Sequence, residues 1–128
     1  MTNKIESEII RAIVELITPA CTNVFAGKSQ VIYPKANIDL RKIEAQTYGI
    51  RYRLVVDYYA ADGKPSTVVT MAEGVRTALN ETACNDANGA LIHFRETSGG
   101  GLVEEKDNEK IVHYTDAYEV NFYKNQTI

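Results

Sequence analysis

Two segments of the chain repeat their apolar residues with the spacing of an amphipathic helix. In residues 3–17 the main stripe consists of four isoleucines placed four residues apart: Ile5, Ile9, Ile13 and Ile17. Pro19 is expected to end this helix, because the residue before a proline avoids helical geometry. The second stripe predicts a helix over residues 66–83, with Ser66 as its N-cap. Gly74 lies inside it and costs about 1 kcal/mol relative to alanine unless it permits close packing.

Alternating apolar and polar side chains mark three strands. The alternation is longest in residues 48–60, and it recurs in residues 90–96 and 112–124. In the last of these strands, Asp116 interrupts an otherwise apolar face. Residues 98–110, glycine-rich and then charged, lie between the second and third strands. They predict a β-hairpin with a long, mobile loop.

Residues 20–47 carry a weaker pattern. Residues 24–25 and 31–33 are short strand candidates, and Pro34 restricts the second of them to an edge or to a strand end. A further apolar spacing is consistent with another strand or with an extended arm, and its members are Ile38, Leu40 and Ile43. The number of strands in this segment is therefore left open by the sequence.

The order of these elements predicts an α+β fold with a single domain over residues 1–128. Two amphipathic helices can cover one face of a mainly antiparallel sheet, which gives a two-layer sandwich. A chain of 128 residues, 45% of them hydrophobic and 24% charged, can bury a core without a metal or disulfide. The uncovered face would carry arginine, tyrosine, glutamate and threonine side chains, and it is either solvated or in contact with a partner.

The formal net charge of -3 at pH 7 excludes a nucleic-acid or anionic-membrane binder that works by bulk positive charge. No apolar run approaches the roughly 20 residues of a membrane span. Acidic residues interrupt the N-terminal stretch, so no secretory signal is predicted. Cys21 and Cys84 are interpreted as two buried thiols of a reduced compartment, and a disulfide between them stays an alternative.

No motif in the sequence specifies catalysis, and the chain is expected not to be an enzyme and to need no metal or cofactor. The two histidines, His93 and His113, fall in neighbouring predicted strands. One alternative is therefore a small ligand-binding or enzymatic domain that uses both histidines. A second alternative is a nucleic-acid-associated module that uses Arg51 and Arg53, with Tyr59 available for stacking on the same strand face.

Four segments carry a resemblance to a known family. They are IIRAIVELITP at residues 9–19, RYRLVVDYY at 51–59, MAEGVRTAL at 71–79 and YTDAYEVNF at 114–122. In order, spacing and pattern the chain resembles the small tail terminator and tail completion proteins of long-tailed bacteriophages, together with the related prophage proteins described as minor capsid or tail completion proteins.

The resemblance implies a structural virion protein without catalytic residues. Such subunits form a ring, commonly a hexamer, that ends the tail tube and joins it to the head connector. The implied partners are other copies of the chain, the tail tube protein and the head-tail connector, with no membrane and no direct nucleic-acid contact. The implied location is the virion tail, reached from the host cytoplasm during assembly.

A closed ring uses head-to-tail contacts, so each subunit needs two different adhesive surfaces. Five residues are the candidates for these surfaces: Arg51, Arg53 and Tyr59 on the long strand, and Leu102 and Val103 in the predicted loop. Tyrosine is favoured at interfaces, and exposed aliphatic side chains in a glycine-rich segment are typical of a segment that orders on contact.

Overall fold

A computed structural model describes residues 4–27, 30–104 and 110–124. Within these residues the chain forms two helices and six strands. In chain order they are α1 (Lys4–Ile17), β1 (Val24–Ala26), β2 (Lys35–Ala45), β3 (Gly49–Ala60), α2 (Pro65–Leu79), β4 (Thr82–Asn85), β5 (Leu91–Val103) and β6 (Val112–Tyr123). The predicted α+β class is confirmed.

The six strands form one sheet in the order β1-β2-β3-β6-β5-β4. Every neighbouring pair is antiparallel except β1 and β2, which run parallel. The two central strands, β3 and β6, pair along their whole length, from Gly49 opposite Tyr123 to Ala60 opposite Val112. The outermost strands are short, so β1 and β4 each cover only part of the neighbouring long strand.

One core lies between the helices and one face of the sheet. The isoleucine stripe of α1 supplies three fully buried residues, Ile9, Ile13 and Ile17. The even-numbered residues of β3 and β6 supply the sheet side, which includes the fully buried Leu54 and Val120. Burial of alternate strand residues under an apolar helix stripe is what the two periodicities predict.

The end of α2 differs from the prediction. The helix stops at Leu79, not at residue 83, and the strand β4 follows at once. Glu81 lies between the two elements with a φ of 60°, a left-handed conformation that breaks the helix. The predicted cap is also wrong: Lys64 stands at the N-cap position without a side-chain bond, and Pro65 begins the helix.

Residues 31–33 were expected to be a strand candidate, and they form none. Val31 is 86% exposed, and the strand begins only after Pro34, which has no N–H to donate to a ladder. The alternative of an extended arm at Ile38, Leu40 and Ile43 is resolved in favour of a strand, because all three lie in β2. Ile38 and Leu40 pair with β3, and Ile43 occupies a break in the register between β2 and β3.

The expected mobile loop is shorter than predicted. Residues 98–103 belong to β5 and pair with β6, with register shifts between Glu96 and Ser98 and between Ser98 and Gly101. Glycine is needed within this stretch, since a Cβ at Gly100 would collide with the ring of Tyr114. Glycine therefore serves close packing here. The rest of the expected loop, residues 105–109, lies outside the described residues.

Replacing Gly74 with alanine is expected to leave the free energy of unfolding unchanged or to lower it by about 1 kcal/mol. Alanine favours the helix, but its Cβ would lie 2.8 Å from the Cβ of Ala20, so the two methyl groups collide. Urea unfolding of the double variant Ala20→Gly/Gly74→Ala should then show a gain relative to Ala20→Gly alone. A clear stabilisation by Gly74→Ala in the parent chain would contradict the close approach.

Candidate interaction surface

The face of the sheet opposite the helices carries polar and charged side chains. At its centre a row of four residues crosses the four long strands: Arg41 on β2, Arg53 on β3, Glu119 on β6 and Arg95 on β5. We call this side of the sheet the open face. Odd-numbered residues of β3 and β6 point to it, because successive side chains of a strand point to opposite faces.

The carboxylate of Glu119 lies between two arginines of this face and pairs with both. Its carboxylate oxygens lie 3.6 Å from Arg51 and 3.4 Å from Arg95, and Arg51 also reaches Glu44 at 3.0 Å. Arg53 is exposed and has no ion-pair partner among the residues that the structure describes. The face therefore holds one arginine available to a partner, beside three arginines already held by carboxylates.

A shallow groove of about 430 Å³ lies beside this row. Ile43 and Thr97 line it together with Arg51, Arg53 and Glu119. The lining thus combines two guanidinium groups with one carboxylate, and a nucleic-acid backbone would meet both charges. This mixed charge weakens the nucleic-acid alternative and suits a protein surface with its own ion pairs.

Tyr59 occupies a different part of the open face. Its ring stacks on His113 with centroids 4.3 Å apart, and His113 Nε2 lies 2.8 Å from Asp57 Oδ1. Lys35 Nζ lies 5.4 Å from the centroid of the Tyr59 ring. The structure therefore places Tyr59 in an intramolecular cluster and separates it from the arginine row.

Leu102 and Val103 lie in β5 and not in a loop, and both are exposed, by 55% and 38%. Other large apolar residues of the described chain are also exposed, and they are Val31, Ile32, Ile43, Tyr48 and Leu91. Ile43 is 54% exposed and lies on β2, near the edge of the sheet opposite to the edge at which β5 lies. The domain thus carries exposed apolar side chains on both flanks of its sheet.

The two histidines do not meet. His93 pairs in register with Asn121, which is eight residues along β6 from His113, or roughly 27 Å. His93 has Glu81 as its neighbour at 3.6 Å, and His113 has Asp57. Within the described residues no group of three or more His, Cys, Asp or Glu side chains is placed to hold a metal ion. The structure does not bring together the site required by the two-histidine alternative.

A buried charge cluster lies under α2. The side chain of Asp116 is fully buried, with Arg76 Nη2 3.9 Å from its Oδ2, and Arg76 Nε lies 2.8 Å from Glu96 Oε2. Burial, followed by the nearby Glu96, raises the pKa of Asp116 to about 7. Burial would also raise the pKa of Glu96, but its bonds to Asp116 and Arg76 outweigh that effect and lower it. Asp116 Oδ2 accepts no hydrogen bond from the described residues, and in its protonated form the carboxyl group could donate one to Glu96.

The sequence signalled only one member of this cluster, since Asp116 stands on an apolar strand face. Arg76 and Glu96 come from a helix and from another strand, and their approach follows from the tertiary fold. The thiols of Cys21 and Cys84 are free, and burial raises the pKa of both. Neither described helix is long and apolar enough to cross a membrane.

No protein-family model and no curated protein matches the chain. Among solved structures the chain is similar to one described as "Virion of native gene transfer agent (GTA) particle". The sequence identity is 14% and the TM-score is 0.49, with 87% of this chain and 84% of that chain covered. At this similarity neither the fold nor the function of that particle's protein is transferred to this chain.

Proposed function

We propose that the chain is a structural subunit of a phage-type virion that resembles tail terminator and tail completion proteins. In this proposal copies of the chain form a ring that ends the tail tube and contacts the head-tail connector. The subunit acts by contact alone, without a catalytic step, a metal or a cofactor. The ring is assembled in the host cytoplasm and becomes part of the virion tail.

The observation that carries the proposal is that exposed apolar side chains lie on two opposite flanks of one sheet. Leu102 and Val103 lie on the β5 side, and Ile43 lies on the β2 side. A two-fold dimer brings the same patch of both copies together, whereas a ring joins two different patches in every copy. Exposed apolar side chains on two different flanks therefore favour the ring.

The arginine row supplies charged groups next to these exposed apolar side chains. Arg53 is exposed beside the Arg51–Glu119–Arg95 ion pairs, and Ile43 borders the same groove. Interfaces commonly combine an apolar centre with a polar rim and with arginine. In this proposal Arg53 forms an ion pair with a carboxylate of a neighbouring subunit or of the tail tube protein.

The test is the mass of the assembled protein. Native mass spectrometry and light scattering over a range of concentrations, with and without purified tail tubes, should show a closed multimer of one stoichiometry. Replacing Leu102 and Val103 together with lysine should abolish that multimer, because charge on exposed strand positions opposes association. This double variant is preferable to a deletion, which would remove part of β5.

The matched control replaces an exposed residue outside both flanks, Glu73→Lys on α2, and should leave the multimer intact. A protein that stays monomeric at every concentration and does not bind tail tubes would overturn the proposal. If the lysine variant still forms the multimer, the β5 flank is not part of the contact between subunits.

A further inference from the structure

Each flank of the sheet contains a long strand that is covered over only part of its outer edge. On β2, the strand β1 pairs with residues 36–38 and leaves Asp39–Ala45 without an outer neighbour among the described residues. On β5, the strand β4 pairs with residues 91–94, and Asn80 Oδ1 accepts a bond from the backbone N–H of Glu96. Residues 97–103 continue beyond them without an outer neighbour in the described chain.

The two free edges have the same length, seven residues, and similar exposure. In Asp39–Ala45 every residue is exposed except the half-buried Leu40. On β5, the described side chains of Thr97, Leu102 and Val103 are exposed. An unpaired strand edge presents a row of backbone N–H and C=O groups, which is a template for pairing with another chain.

We propose that the free edge of β5 in one copy pairs with the free edge of β2 in the next copy, so that the sheet continues from subunit to subunit. This inference rests on the proposed function, because it names the contact that builds the ring. The occupant of each edge is a second copy of this chain. One such contact covers both edges of every copy, whereas a two-fold pairing of β5 with β5 leaves the β2 edge open.

Strand direction fits this arrangement. From β2 through β3 and β6 to β5 the chain reverses direction three times, so β2 and β5 run in opposite directions. When two copies in the same orientation stand side by side, β5 of one therefore meets β2 of the other as an antiparallel pair. Antiparallel pairing is the stronger of the two ladder types, and it continues the alternation of the sheet.

The side chains also fit one register. Within each free edge we take a residue that still pairs in register with its inner neighbour, Arg41 on β2 and Gly101 on β5, and place the two opposite each other. Both positions belong to the open face. The same pairing places Leu40 opposite Leu102, both on the other face, so that a half-buried and an exposed leucine cover each other. Opposite residues of a ladder must share a face, and this register meets that condition.

The position of the edges along the strands fits a closed sheet. Arg41 lies opposite Arg53, and Gly101 is level with Asp57, so the two positions that pair are offset by about four residues, or about 13 Å, along the strands. Four strand spacings, about 19 Å, separate equivalent strands of adjacent copies. Such an offset tilts the strands by about 35° from the axis of repetition, at the lower end of the range found in closed sheets.

Cysteine pairing tests the contact directly. In a Cys21→Ala/Cys84→Ser background, Arg41→Cys and Gly101→Cys are made separately. Both sites are exposed, and a Cβ at Gly101 meets no atom within 4 Å. Full-length proteins are oxidised at a concentration at which native mass spectrometry detects multimers, or on tail tubes if the free protein is monomeric.

The mixture of the two variants should yield at least about tenfold more covalent dimer than either variant alone, because the paired thiols experience a high effective concentration. A chain with both cysteines should give a ladder of covalent multimers that ends at the size of the ring. Replacing Arg41→Cys by Glu73→Cys, on the exposed side of α2, should remove the cross-link.

Two outcomes would overturn the edge pairing and leave the proposed function standing. If multimers form but the mixture does not cross-link, the copies meet through other surfaces. If Gly101→Cys alone cross-links as well as the mixture, the contact is two-fold between β5 strands. Absence of multimers both in solution and on tail tubes would instead overturn the proposed function, and the pairing with it.

Discussion

Replacing Asp116 with asparagine is expected to stabilise the protein at pH 8 by about 2–4 kcal/mol and to leave it nearly unchanged at pH 4. Burial raises the pKa of Asp116 from its ordinary value of 3.8 to about 7. The unfolded chain therefore releases this proton at a lower pH than the folded chain does. Between about pH 4 and pH 7 the folded state binds more protons, so the free energy of unfolding of the parent falls as pH rises.

Asparagine removes this dependence because it is neutral at every pH, and its amide can still donate to Glu96. Glu96 works in the opposite sense, since its pKa is lowered, and its contribution is lost below about pH 4.5. Urea unfolding at pH 4, 6 and 8 measures both effects.

Asp39→Asn is the control, because Asp39 is an exposed carboxylate beside Arg41 and should leave the pH profile as it is in the parent. If Asp116→Asn destabilises the protein equally at pH 4 and pH 8, the buried carboxyl does not hold its proton up to neutral pH.

Replacing Ile13 with alanine is expected to lower the free energy of unfolding by about 2–5 kcal/mol. Ile13 is fully buried in the middle of the stripe that attaches α1 to the core. Truncation removes buried methyl groups and leaves a cavity that the surrounding side chains fill only in part. For a domain with a total stability of about 5–15 kcal/mol, this is a large fraction.

The matched variant Arg11→Ala changes the exposed side of the same helix, where Arg11 makes a surface ion pair with Glu15 at 3.5 Å. It should change the free energy of unfolding by less than about 0.5 kcal/mol. Denaturant midpoints and slopes for both variants measure the difference. Equal effects at the two positions would mean that α1 does not pack through its isoleucine stripe.

Ile13 and Asp116 show what hydrophobic periodicity in the sequence can reveal about the fold. The four-residue spacing of the isoleucines locates a helix and its buried side without knowledge of the rest of the fold. The same logic places Asp116 on a buried strand face but cannot supply its partners. Arg76 and Glu96 lie 40 and 20 residues earlier in the chain, and only the crossing of α2 over the sheet brings them together.

Strand pairing between segments far apart in the chain also explains why two sequence predictions, a loop at residues 98–103 and a strand at residues 31–33, were wrong. Residues 98–103 have the glycine content of a loop, yet β6 supplies a ladder along them and Tyr114 fills the space beside Gly100. Residues 31–33 have strand composition but gain no pairing partner in the described chain.

Among the candidate interface residues, the open-face position of Arg51 and Arg53 follows from alternation alone. The stacking of Tyr59 on His113 depends on cross-strand register, which the sequence does not specify.

The position of β6 in the sheet has a consequence for biosynthesis. This strand follows all the other described elements in sequence, yet it lies at the centre of the sheet, between β3 and β5. On the ribosome the strand edges of β3 and β5 that pair with β6 therefore stay unpaired until residues 112–123 emerge. A nascent chain in this state is a natural client for chaperones, and a premature stop codon before residue 112 would produce a polypeptide that cannot join the two halves of its sheet.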